Sequence, residues 1–152
     1  MGKKVIGYTA GVYDMFHIGH LNLLKNAKKH CDYLIVGVNS DEATFSYKNK
    51  FPVIPWEERA EIVEAIKYVD EIVKVDNTDK IFAFEKYKPD FILVGNDHQG
   101  EQKWEEVDEY LRKHNSKVIF LEHTDHISST ILRPRETEKI KDWMLLWKNQ
   151  II

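Results

Sequence analysis

The chain has 152 residues, a formal net charge of −3 and one cysteine. That length suits a single domain with its own core, the mild acidity gives no basic face for nucleic acid, and one thiol excludes an internal disulfide framework. No run of about 18 apolar residues occurs and no apolar leader precedes the first strand pattern, so a cytoplasmic protein without membrane insertion is expected.

Runs of strand length recur at Val5 to Thr9, Tyr33 to Val38, Glu71 to Val75, Phe91 to Val94 and Val118 to Leu121. Helical spacing fills the gaps: Leu24, Ala27 and Cys31; Ile62, Val63 and Ile66; Ile81 and Phe84; Trp104, Val107 and Leu111. Cys31 therefore reads as a small core residue. Pro55 ahead of Glu57 and Glu58, and Asn77-Thr78-Asp79 ahead of Ile81, mark helix starts, because acidic and capping side chains satisfy free backbone N–H groups. Asp70, Pro89-Asp90 and Asn115-Ser116 separate helices from the strands that follow. The alternation predicts an α/β, Rossmann-like single domain: a five-stranded parallel sheet with helices on both faces. Residues 136–152 carry Ile140, Trp143, Met144 and Trp147 at helical spacing and predict an amphipathic helix, suited to packing on the sheet or to a dimer contact.

In open parallel sheets ligands sit beyond the carboxyl ends of the strands. Those ends are Ala10 to His20, Asn39 to Lys50, Asn77 to Lys80, Gly95 to Gly100 and Glu122 to Thr130, and they hold most of the chain's unusual chemistry. The first is the most informative. In Tyr13-Asp14-Met15-Phe16-His17-Ile18-Gly19-His20 two imidazoles three positions apart, with Gly19 between them, stand where a strand gives way to a helix. Backbone N–H groups and the helix dipole both favour an anion there. The pair could instead hold a metal, but Asp14 is the one further ligand nearby and a closed zinc site is poorly supplied. Two structural histidines are the third possibility.

At this point the sequence resembles the cytidylyltransferase family of HxGH-type nucleotidyltransferases, most closely the glycerol-3-phosphate cytidylyltransferases, over about residues 4–132. The resemblance is carried by Gly11-Val12-Tyr13-Asp14 running into His17-Ile18-Gly19-His20, by Asp32-Tyr33-Leu34-Ile35-Val36, Ser40-Asp41-Glu42, Glu58-Arg59, Tyr68-Val69-Asp70-Glu71, Val94-Gly95-Asn96-Asp97 and Ile127-Ser128-Ser129-Thr130. It implies transfer of a cytidylyl group from CTP, with Mg2+ on the triphosphate, to a small alcohol or polyol phosphate such as sn-glycerol 3-phosphate. A homodimer is expected. An adenylyltransferase of the same fold and a weakened nucleotide-binding module are the alternatives. The chemistry suits the residues: a phosphate monoester with a second pKa near ~6 is already largely a dianion and needs no general base, so the site must supply charge neutralisation and alignment.

The resemblance assigns His17, His20, Lys50 and Arg59 to catalysis. It assigns Ala10, Gly11, Val12, Gly19, Lys48, Gly95, His123, Ile127, Ser128, Ser129 and Thr130 to the nucleotide, and Asp14, Asn96, Asp97 and His126 to the acceptor. No protein metal ligand is assigned. Lys48 and Lys50 are read as a loop, Tyr47-Lys48-Asn49-Lys50, that closes over phosphates. Asp14 is read equally as a cap for its turn. The chain departs from the family where Arg-Thr-x-Gly-Ile-Ser-Thr-Thr becomes His123-Thr124-Asp125-His126-Ile127-Ser128-Ser129-Thr130. His123 gives up the permanent charge and donor fork of arginine, with His126, Arg133 or Arg135 available to compensate, and His126 adds bulk where the family is small. Asn96 and His98 likewise replace an acidic residue and a tryptophan.

Overall fold

Five short runs rich in β-branched and aromatic residues become the strands of one sheet. The computed structural model describes residues 3–122. Along the chain β1 (Ile6–Gly11) is followed by α1 (Ile18–Lys28), β2 (Tyr33–Asn39), α2 (Asp41–Lys48), α3 (Trp56–Glu64), β3 (Glu71–Val75), α4 (Lys80–Tyr87), β4 (Phe91–Gly95), a 3-10 turn at Asn96–His98, α5 (Gln102–Arg112) and β5 (Lys117–Leu121). Every strand expected from the sequence is present, its ends shifted by two residues at most. All pairings are parallel and the order is β3-β2-β1-β4-β5.

Burial on both faces explains the near-continuous apolar strands. In β2, Leu34, Val36 and Val38 join Leu24 and Ala27 of α1 and Val63 of α3 on one face, while Ile35 joins Phe84 of α4 and Trp104, Val107 and Leu111 of α5 on the other. Each such side chain contributes about 1.5–3 kcal/mol on leaving water. Cys31 lies just past the end of α1, half-buried, where its Sγ would meet a Cβ on Gly7 at 2.8 Å; it is packed, as expected, and burial pushes its thiol pKa up.

Amino ends of the strands are pinned by carboxylates. Asp32 accepts from Val5 N–H at 2.9 Å, Asp90 from Ile6 N–H at 2.8 Å and Asp70 from Leu34 N–H at 2.7 Å. Two of these are the separators read from sequence, so they fix strand entry as well as ending helices. At the other end the sheet opens. Strand order reverses direction at β1, and β1 pairs with β4 only at Gly7↔Phe91 and Tyr8↔Ile92. Beyond Tyr8 and Ile92 the two strands are not paired to each other, which leaves a crevice at the topological switch point. No helix among the described residues is long and apolar enough to cross a membrane.

One element was not expected. The segment after β2 is helical from Asp41 to Lys48. The signals were there: Ser40 Oγ accepts from Ala43 N–H at 3.0 Å as an N-cap, and Asp41 and Glu42 occupy the first turn. No apolar stripe accompanies them, so periodicity alone misses the helix. The lysine-bearing loop is accordingly the last turn of α2 followed by Asn49, whose φ of 58° ends the helix in the left-handed region.

Candidate active site

The His-x-x-His spacing produces a capping box made of imidazoles. His17 is the N-cap of α1, and its Nδ1 accepts from Gly19 N–H at 3.0 Å. His20, at the third helical position, accepts on its own Nδ1 from His17 N–H at 3.3 Å. These are the two reciprocal bonds that Ser and Glu make in the usual box. A ring nitrogen that accepts an N–H bond carries no proton, so each neutral ring bears its hydrogen on Nε2. Both histidines are thereby fixed as Nε2–H donors.

Charge on the His20 ring is disfavoured. The two imidazoles stack with centroids 3.9 Å apart, and His20 is flanked by the rings of Tyr13 and Phe16 at 5.4 and 5.3 Å. Burial, then the neighbouring His17, lowers the His20 pKa to about 3, against a smaller opposing pull from Asp14. His20 is therefore a neutral, preorganised donor.

The turn that carries them is strained and tied down. Tyr13 and Met15 have φ of 55° and 50°, a region costly for residues with a side chain. Between them, buried Asp14 accepts from Val53 N–H at 2.8 Å through Oδ2 and from Ile54 N–H at 2.9 Å through Oδ1. Asp14 thus staples the first strand-end turn to the segment ahead of α3, which favours the capping reading, although it also lines the cleft.

Arg59 requires a correction. It was expected to reach phosphate, yet it is 1% exposed and is absent from the cleft lining. Its Nε donates to Ile54 O at 2.8 Å, Nη1 to Val12 O at 2.6 Å and Asn39 O at 2.9 Å, and Nη2 to Asp41 Oδ1 at 2.6 Å. Those acceptors belong to the ends of β1 and β2, the start of α2 and the segment before α3. Four of its five N–H groups are engaged in joining the strand ends, so Arg59 is a positioning residue behind the wall.

A cleft of 720 Å³ opens above the switch point. Ala10, Gly11, Val12, Asp14 and His20 form its floor, and Lys48, Lys50 and Asp97 line it as expected. Half-buried His17, Gly95, buried at the end of β4, and exposed Asn96 are not among the lining residues, whereas Val94 is. Gly19 contributes its N–H to the cap. The remaining assignments, His123, His126, Ile127, Ser128, Ser129 and Thr130, lie outside the described residues, as does the helix expected at 136–152.

Several lining residues have no role assigned from sequence: Asn39, Tyr47, Thr78, Lys80, Lys103 and Trp104, together with His98, which is marked there only as replacing a tryptophan. The strand-end rule had marked the segments holding Asn39, Tyr47, Thr78, Lys80 and His98 without choosing among their residues. Lys103 and Trp104 start α5, and Trp104 reads in sequence as part of an apolar stripe, so nothing there distinguishes a core residue from one that also faces a ligand.

Comparison with known proteins gives a consistent result. The family model described as cytidylyltransferase-like matches residues 8–135. A glycerol-3-phosphate cytidylyltransferase of Bacillus spizizenii is 39% identical over 132 residues, covering 86% of this chain and 95% of that protein. An FAD synthase of Ferroglobus placidus is 41% identical over 116 residues, covering 76% of this chain and 72% of that protein. Among solved structures, a lipopolysaccharide core biosynthesis protein of Thermoplasma volcanium superposes with a TM-score of 0.70 at 26% identity, over 81% of this chain and all of that one. Its cap-fixed histidines at the switch point of a five-stranded parallel sheet and its match over residues 8–135 lead to one conclusion: the chain belongs to the cytidylyltransferase-like family of nucleotidyltransferases.

Proposed function

We propose that the protein transfers CMP from CTP to a small alcohol phosphate, sn-glycerol 3-phosphate first among them, releasing pyrophosphate. The observation that carries this reading is the pair of imidazoles fixed with hydrogen on Nε2 at the head of α1, of which His20 lines a cleft that also holds Lys48 and Lys50. In the reaction a phosphate oxygen of the acceptor forms a bond to the α-phosphorus, and the bond from that phosphorus to the bridging oxygen breaks, its electron pair leaving with pyrophosphate. An already ionised nucleophile needs alignment and charge neutralisation. A donor directed at the α-phosphate strengthens as its oxygens gain charge and needs no proton transfer, which suits the His20 ring that resists protonation. Lys48 and Lys50 supply the permanent charge for the leaving group.

Mg2+ belongs to the same reading. Among the described residues no three His, Cys, Asp or Glu side chains gather to cage an ion, and the cleft carboxylates are Asp14 and Asp97. That donor set fits an ion held chiefly by phosphate oxygens and water, with one carboxylate at most. When bound, the ion would neutralise triphosphate charge. A cytoplasmic homodimer also belongs to this reading, to be checked by fractionation and sedimentation.

A second reading is adenylyl transfer from ATP, favoured by the several FAD synthases that are 38–42% identical to this chain. A third is a nucleotide-binding module weakened by His123 and His126. One panel separates the three: pyrophosphate release with CTP or ATP, each combined with glycerol, ribitol, choline and ethanolamine phosphates and with a flavin phosphate. Release with CTP and an alcohol phosphate is expected. Release only with ATP would replace the first reading by the second, and a CTP-induced rise in melting temperature without release from any pair would favour the third.

A further inference from the structure

The cleft holds more cation than the phosphate-binding turn uses. Beside Lys48 and Lys50 it is lined by Lys80, the first residue of α4, and Lys103, in the first turn of α5. Burial, and after it repulsion from Lys103, lowers the Lys80 pKa to about 8. Among the described residues neither lysine has a hydrogen bond or a carboxylate within 4.0 Å. The carboxylate next to Lys80 in sequence is turned to other work: Asp79 accepts from Ile81 N–H at 2.9 Å as the cap of α4. Lys103 rests over the ring of Trp104, 5.9 Å from its centroid.

Two further groups at this end also lack partners or serve polar contact. Trp104 is 4% exposed and lines the cleft, and among the described residues its Nε1–H has no acceptor. Thr78 brings a hydroxyl to the same lining. A half-buried ammonium near a second ammonium, beside a buried N–H donor, is costly unless an anion accepts from them. All of these groups donate.

Resting on the reading of the protein as a nucleotidyltransferase with a phosphorylated acceptor, we propose that Lys80, Lys103 and the Trp104 indole N–H form the seat of the acceptor's phosphate, separate from the triphosphate seat at His17, His20, Lys48 and Lys50. The reaction must bring two polyanions together, and the cleft offers two lysine pairs carried by different elements: one on α2 and the segment after it, the other at the starts of α4 and α5. Lys80 and Lys103 are then specificity residues for a phosphorylated over an unphosphorylated alcohol.

The test is calorimetric titration of the parent, K80M, K80R and K103M proteins with CTP, with sn-glycerol 3-phosphate, with inorganic phosphate and with glycerol. K80M and K103M are expected to weaken phosphate and glycerol 3-phosphate binding by about 10- to 100-fold, the worth of a hydrogen bond to a charged group, with CTP binding unchanged within about twofold. K80R should retain most of the phosphate affinity, and melting curves of the variants should match the parent. The proposal is overturned if CTP affinity falls as far as phosphate affinity, which would give these lysines to the triphosphate, or if the parent binds inorganic phosphate no better than K80M does. Loss of the nucleotidyltransferase reading would show separately, as failure of the parent to bind either CTP or ATP.

Discussion

Two cations are drawn into the protein, one behind the wall of the cleft and one lining it, and they are treated in opposite ways. Arg59 is 1% exposed, yet its guanidinium meets three carbonyls and a carboxylate. Lys80 is half-buried and among the described residues meets neither, with Lys103 opposing its charge more than Asp79 favours it. A planar fork with five donors can be fully satisfied by protein and so builds the wall. An ammonium left without an acceptor is instead poised for something that comes from outside. The difference teaches that burial of charge does not itself mark a ligand site; the count of satisfied donors does.

Removing Arg59 is the largest disturbance this contrast predicts. Arg59→Met leaves the carbonyls of Val12, Asn39 and Ile54 without their donor and Asp41 without its partner. A loss of about 3–5 kcal/mol is expected in urea unfolding, against little loss for Lys80→Met. Equal destabilisation by the two changes would erase the distinction between them.

Next in size are the histidines. His17→Ala and His20→Ala each remove one preorganised donor and should lower turnover by roughly 10²–10³-fold, with a further cost of about 1 kcal/mol in stability from the lost cap. Turnover within a few-fold of the parent would remove the imidazoles from the chemistry. The cap also predicts acid sensitivity. His20 binds its proton less readily when folded, so between pH 6.5 and about 3 the unfolded chain holds more protons and stability falls as the pH drops. The steepest slope from this one group is about 1.4 kcal/mol per pH unit. His20→Ala should flatten the fall, and chemical denaturation at a series of pH values reads it directly.

How much of this was legible in the sequence follows from what kind of signal each part leaves. The strands announced themselves because buried parallel strands are long apolar runs, and the position of the site followed because strand order and ligand position are linked. His17 and His20 were visible as a spacing. Helix α2 was hidden because it lies over the cleft with Phe45 and Tyr47 exposed and has no apolar stripe to report. Arg59 was misplaced for a different reason: a charged residue in a family motif looks the same in sequence whether it touches substrate or holds the backbone that does. Lys80 passed unnoticed because its significance lies in a neighbour 23 positions away, Lys103, which only the packing of α4 beside α5 brings near.

The smallest predicted effect is also the one most particular to Lys80. Lys103 of α5 faces it and opposes its charge, Asp79 on its own helix favours that charge, and burial places the pKa near the upper end of the physiological range, at about 8. An anion that binds the charged form should therefore bind more weakly as the pH rises through that value, by a factor of about 2 between pH 7 and pH 8 and about tenfold by pH 9. The acceptor's phosphate does not confuse the measurement, since its second pKa near ~6 leaves it a dianion throughout. Lys80→Arg, whose guanidinium stays charged, should make glycerol 3-phosphate affinity level across the same range. A profile that falls equally in parent and variant would assign the titration to another group and leave Lys80 as no more than a half-buried surface lysine.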